Sequence, residues 1–199
     1  MVSLDLILVA GLSYLLGSVP FGLVFTRIAG LGDIREIGSG NIGATNVLRT
    51  GRKDLAILTL LLDAGKGAIA VLLTRYFVSP ELAAIAGTAA FIGHCFPLYL
   101  KFNGGKGVAT FMGTLFAIAP LFGLAVGGAW LFSALIFRIS SLSALIAAAA
   151  APVISYYLVG PASWPAVAFM TVVIYIRHKE NIARIVKGEE PKIGKKDKS

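Results

Sequence analysis

The amino-acid sequence predicts an all-α, polytopic membrane bundle of about seven spans, with the N-terminus outside and the C-terminus in the cytoplasm. Three observations lead there. Of 199 residues, 57% are hydrophobic and 14% charged, which leaves too little polar surface for an ordinary soluble domain. The apolar residues gather into runs long enough to cross a bilayer, separated by short polar connectors. The basic residues sit in alternate connectors: five Lys and Arg fall between 27 and 54, two between 101 and 107, one at 138 and eight from 177 onward, 16 of the 18. By the positive-inside rule these four segments face the cytoplasm, so the net charge of +8 reports topology and not a nucleic-acid partner.

Residues 4–26 are the first span. The run has no basic leader, carries Asp5 near its start and extends past 20 residues, so it reads as retained and not as a cleaved signal. A polar segment, 27–54, leads to a second span at 55–74, where Asp63 and Lys66, at i and i+3, share a helical face and neutralise each other. The turn 75–81 leads to the third span, 82–100. Residues 108–137 are too long for one helix and have Pro120 and Gly123 near the middle, which predicts a helical hairpin. A single tilted helix there is the alternative, and it leads to five spans. After a polar break at 138–143, one span runs to Leu158 and, beyond the turn from Gly160 to Pro165, the last ends at Ile176. Residues 177–187 form an amphipathic surface helix with Ile182, Ile185 and Val186 toward lipid. Residues 1–187 are thus one membrane domain, and 188–199 are a basic, disordered tail.

The chemistry concentrates in the connectors assigned to the cytoplasmic face. In the segment Gly38 to Arg49, glycines at 38, 40 and 43 permit positive φ and close backbone approach, while Ser39, Asn41, Thr45 and Asn46 add short polar side chains. A helix beginning at Ala44 would point its N-terminus at the same anion, and Arg49 adds a permanently charged fork suited to phosphate. The glycines match a dinucleotide fingerprint in spacing, but that pattern has meaning only between a strand and a helix of a βαβ unit. A second glycine-rich connector holds Asn103, Gly104, Gly105, Lys106 and Gly107, with Lys106 as a point charge for a phosphoryl oxygen. It is no Walker loop, since leucine stands at 100 and Gly107 replaces the hydroxyl residue. Ser140, Ser141, His178, Glu180 and Asn181 lie on the same predicted face. His94, at an apolar helix end, reads as a packing residue, and His178 as a site residue. No cluster at metal spacing is present, and the single cysteine, Cys95, excludes an internal disulfide.

Three co-linear motifs make a more specific pattern. Gly38-Ser-Gly-Asn-Ile-Gly-Ala-Thr-Asn46 with Arg49, Gly93-His-Cys-Phe-Pro97 with Gly104-Gly-Lys-Gly-Val-Ala-Thr110, and Arg177-His-Lys-Glu-Asn-Ile-Ala-Arg184 resemble those of the bacterial acyl-phosphate-dependent glycerol-3-phosphate acyltransferases, the PlsY family. The resemblance implies transfer of a fatty acyl group from acyl phosphate to the 1-hydroxyl of sn-glycerol 3-phosphate at the cytoplasmic side of the inner membrane. It implies no cofactor and no metal; its partners are the two phosphorylated substrates and membrane lipid, with the enzyme that makes acyl phosphate as a candidate neighbour. Carried onto this sequence, Ser39, Arg49, Lys106 and His178 are catalytic candidates, and Gly40, Asn41, Gly43, Thr45, Asn46, Gly104, Gly105, Gly107, Ser141 and Asn181 line the substrates. Backbone N–H groups at Gly104 and Gly105 are the candidate oxyanion donors.

Overall fold

The computed structural model describes residues 3–194 and contains no strand among them. Five helical segments are long and apolar enough to cross a membrane: Leu4–Ile28, Lys53–Phe77, Pro80–Leu100, Pro120–Phe137 and Ser140–Leu158. Val108–Ile118 and Trp164–Arg177 are apolar but shorter. The described residues fall into two compact units that divide between Ile118 and Ala119. Ala119 is extended, and the following Pro120 has no N–H to continue a helical ladder, so the run 108–137 breaks at its proline.

The first unit contains α1 (Leu4–Gly17), α2 (Phe21–Ile28), α3 (Ala44–Val47), α4 (Lys53–Phe77), α5 (Ala83–Cys95) and α6 (Val108–Ile118). The first span, expected to be continuous over 4–26, is in fact two helices. Pro20 removes a backbone donor and disfavours helical geometry at Val19, and hydropathy, being high throughout, does not register the interruption. Where helices cross closely, glycine is required by space. A Cβ on Gly17 would lie 2.0 Å from the Ala90 carbonyl oxygen, one on Gly93 2.2 Å from that of Tyr14, and one on Gly113 1.9 Å from that of Ala64. Lipid tails give helices no hydrophobic reason to associate, so backbone-close packing of small residues supplies the contact of α1 with α5 and of α4 with α6. Side chains satisfy exposed carbonyls at the ends: the Tyr14 hydroxyl donates to Phe96 O at 2.7 Å, and Arg75 Nη2 donates to Ile118 O at 2.8 Å.

The second unit contains α7 (Pro120–Phe137), α8 (Ser140–Leu158), α9 (Trp164–Arg177) and α10 (Lys179–Val186). Thr171 Oγ1 donates to Ala148 O at 2.9 Å and Tyr175 Oη to Leu145 O at 3.1 Å, which ties α9 to α8. The sequence reading starts a disordered tail at Gly188. In the structure Glu189 N–H donates to Arg184 O at 2.8 Å, and Ile193 N–H to Arg138 O at 2.7 Å. Residues 195–199 lie outside the described residues.

Candidate functional site

The first glycine-rich segment is built on a small apolar base. Leu23, Ile34, Ile42, Val47 and Ala56 are buried together, and Leu100, at the entry to the second glycine-rich segment, packs against them. Asp33 closes the entry to the first loop. Its carboxylate accepts from the Arg35 backbone N–H at 3.0 Å and from the Arg35 and Arg27 guanidinium groups at 2.5 and 3.0 Å. The Arg35 hydrogen bond holds the Asp33 carboxyl well below the ordinary carboxylate range, against an opposing effect of burial.

Gly38 and Gly40 take positive φ, +57° and +67°, as the loop requires; Gly43 does not, with φ −84°. The helix expected from Ala44 is a single turn, Ala44–Val47, too short for a dipole argument about anions. What organises the loop is Asn46. It is 1% exposed, and its side chain is engaged on every side: Nδ2 donates to Ile34 O and Ile37 O, both at 2.9 Å, and Oδ1 accepts from Ser39 N–H at 3.1 Å. Asn46, expected to touch substrate, braces the loop from within. The Arg49 side chain lies against Gly38, where a Cβ would come within 2.5 Å of Nη1. Ser39, Asn46 and Arg49 are thus brought together, with Ser39, Gly40, Thr45 and Arg49 exposed and Asn41 half-buried.

The second segment lies on the end of α5. Gly105 N–H donates to His94 O at 3.0 Å, so this N–H, expected to face an oxyanion, is occupied by the fold. A Cβ on Gly104 would meet His94 O at 2.2 Å, and one on Gly107, whose φ is +84°, would meet the Phe91 ring at 2.2 Å. Lys106, between these tightly seated glycines, is half-buried. Its backbone is held on both sides.

In the second unit His178 is 3% exposed, at the junction of α9 and α10, and its Nδ1 lies 2.8 Å from Ile174 O. A carbonyl only accepts, so Nδ1 carries the proton and the neutral ring presents Nε2 as an acceptor; donation from Nε2 requires the imidazolium form. Ser141 and Asn181, expected at substrate, meet Glu190 of the tail, whose Oε1 accepts from Ser141 Oγ at 2.6 Å and Asn181 Nδ2 at 2.5 Å. Arg184 Nε donates to Oε2 at 2.7 Å. No sequence signal singles out Glu190 beyond a carboxylate next to Pro191 in a basic tail.

Burial alone would raise the Glu190 carboxyl, but the bonds from Ser141, Asn181 and Arg184, with the Arg184 charge, hold it below the usual glutamate value. A depressed folded-state pKa means that the carboxylate's stabilisation is complete above the unfolded value and is lost as pH falls through the folded one. Tail attachment is accordingly expected to persist at neutral pH and weaken below about pH 4. Glu190→Ala is expected to release the tail already at pH 7, losing at least one charge-assisted bond worth about 1.5–3 kcal/mol. Trypsin cleavage at Lys192 at pH 7 reads the substitution, and amide hydrogen exchange at Ile193 as a function of pH reads the acid release. Equal cleavage rates in wild type and variant would show that Glu190 does not hold the tail.

Comparison with known proteins adds an independent line. The family model described as glycerol-3-phosphate acyltransferase matches residues 7–188. A glycerol-3-phosphate acyltransferase of Paramagnetospirillum magneticum is 63% identical over 186 residues, which cover 94% of this chain and 92% of that protein. One from Caulobacter vibrioides is 61% identical, over 92% of this chain and 85% of its own. Among solved structures, PlsY (YgiH), an integral membrane glycerol 3-phosphate acyltransferase, superposes in its glycerol 3-phosphate form with a TM-score of 0.89 at 34% identity, over 95% of this chain and 96% of that one. Its lysphosphatidic acid form gives 0.86 at 33% identity, over 95% of each chain.

Proposed function

Since the chain belongs to the glycerol-3-phosphate acyltransferase family, we propose that it moves a fatty acyl group from acyl phosphate to the 1-hydroxyl of sn-glycerol 3-phosphate. The products are lysophosphatidate and inorganic phosphate, which makes this the first acylation step of phospholipid synthesis. The hydroxyl oxygen attacks the acyl carbon, the carbon–oxygen bond to phosphate breaks, and phosphate leaves with the electron pair. The hydroxyl proton passes to a phosphate oxygen of a substrate. Acyl phosphate is a mixed anhydride with a good leaving group, so the protein's task is chiefly to hold phosphoryl oxygens and align the reacting atoms.

By residue, Ser39, Arg49 and Lys106 hold phosphoryl oxygens, and the exposed or half-buried groups at Gly40, Asn41, Gly43 and Thr45 approach the same anions. The observation that carries the reading is the arrangement of Gly38, Ser39, Asn46 and Arg49 inside a chain that matches the family over 7–188. Placement of the basic connectors at the cytoplasmic face of the inner membrane, with seven apolar segments crossing, rests on the charge distribution.

The test is phosphate release and acylated product from acyl phosphate plus glycerol 3-phosphate, on wild type and on Lys106→Ala. The wild type is expected to turn over, and Lys106→Ala to lose at least about 100-fold in kcat/KM, the scale of one lost charged contact to a phosphoryl group. Turnover with an acyl thioester and none with acyl phosphate would overturn the donor assignment.

A further inference from the structure

Three buried ionisable side chains of the first unit take no part in the chemistry just described: Asp63, Lys66 and His94, which are 2%, 2% and 4% exposed. Ionisable groups inside a membrane bundle are costly and persist where they pair or serve the site. Lys66 Nζ lies 2.9 Å from Asp63 Oδ1, one turn away on α4, and donates to Val19 O at 3.1 Å. Val19 is the residue immediately ahead of the Pro20 break. In the other direction Asp63 Oδ1 lies 3.6 Å from His94 Nδ1.

Both ends of this chain of contacts reach a glycine-rich loop. The Gly105 backbone rests on the His94 ring so closely that a Cβ would fall 2.1 Å from Nε2 and 2.8 Å from Cε1, while Gly105 N–H bonds His94 O. Beyond Pro20, α2 touches the other loop: a Cβ on Gly22 would lie 2.1 Å from Ile42 O. From one loop to the other the path is Ile42, Gly22, Val19, Lys66, Asp63, His94, Gly105.

We propose that Lys66, Asp63 and His94 form a strut that sets the position of the 104–107 loop against the 38–43 loop. Asp63 and His94 are then positioning residues for the acyltransferase. They touch no substrate. Asp63 fixes the His94 ring, the ring sets the height of Gly105, and Gly105 places Lys106. The inference rests on the acyl-transfer reading, and its test separates the two.

The experiment is a double-mutant cycle between His94→Ala and Gly105→Ala on the full chain in detergent, with kcat and KM measured for both phosphorylated substrates. On the wild-type background Gly105→Ala is expected to cost about tenfold or more in kcat/KM, because its methyl strikes the ring. On the His94→Ala background the same substitution is expected to cost less than about twofold, the ring being absent. Asp63→Asn is expected to raise KM for a phosphorylated substrate about tenfold with a smaller change in kcat, the mark of disturbed phosphate binding. Equal costs of Gly105→Ala on both backgrounds would overturn the strut, as would an Asp63→Asn protein that loses thermal stability but keeps both KM values. Where His94→Ala does not yield folded protein, His94→Asn supplies the smaller side chain for the cycle. An inactive wild type under the assay of the preceding section refutes the acyl-transfer reading; an active one with additive variants refutes only the strut.

Discussion

Lys66→Met is expected to destabilise the protein by about 3–5 kcal/mol, the cost of stranding one member of a buried ion pair. Methionine fills the same volume, so the loss is electrostatic. It leaves the 2% exposed Asp63 carboxylate without the ammonium at 2.9 Å and removes the donor to Val19 O at the helix break. Lys66 Nζ also lies 5.8 Å from the centre of the Phe21 ring, a further cation contact that the thioether lacks. Replacing both charges, Asp63→Leu with Lys66→Met, is expected to lose less than Lys66→Met alone, because no uncompensated charge stays behind. Unfolding in detergent, followed by far-ultraviolet circular dichroism of the helices, compares the three proteins. A Lys66→Met protein as stable as wild type would show that the pair contributes nothing to the fold.

Asp63 with Lys66 is the part of the interior that the sequence discloses directly, since a spacing of three places both groups on one face of any helix. Their third neighbour, His94, is not disclosed: it lies on another helix, and no spacing rule links residues across a helix crossing. Apolar runs likewise reveal which segments suit a membrane but not the break at Pro20, because the residues on both sides are equally apolar. Asn46 shows why residue type is a weak guide to role. An amide in a glycine-rich loop suits a ligand and a loop brace equally, and the brace is visible only in its burial with three backbone contacts. Glu190 is hidden by composition, because a carboxylate beside Glu189 in a lysine-rich stretch looks like tail until Ser141, Asn181 and Arg184 are seen to converge on it. The resemblance of three motifs carries the family, and the packing beneath those motifs has to be built before roles can be separated.

Gly107→Ala is expected to reduce kcat/KM by about 100-fold, and Gly51→Asn to leave it unchanged, although both glycines hold nearly the same backbone angle, φ +84° and +85°. The difference is room. Around Gly51 nothing lies within 4 Å of an added Cβ, so asparagine, which tolerates the left-handed region, costs no more than about 1 kcal/mol of stability there. At Gly107 the added methyl would meet Phe91 Cε2 at 2.2 Å and Cys95 Sγ at 2.8 Å. Neither neighbour has space to retreat: both are fully buried, and the Phe91 ring packs edge-on against Phe111 with centroids 6.4 Å apart. The backbone at 107 must therefore move, and Lys106 moves with it. A displacement of about 1 Å at a group that aligns reacting atoms is enough to cost two orders of magnitude in rate. Steady-state kinetics on the two variants, with thermal unfolding of each, separates placement from stability. Comparable activity in both would mean that crowding on α5 does not set where Lys106 stands.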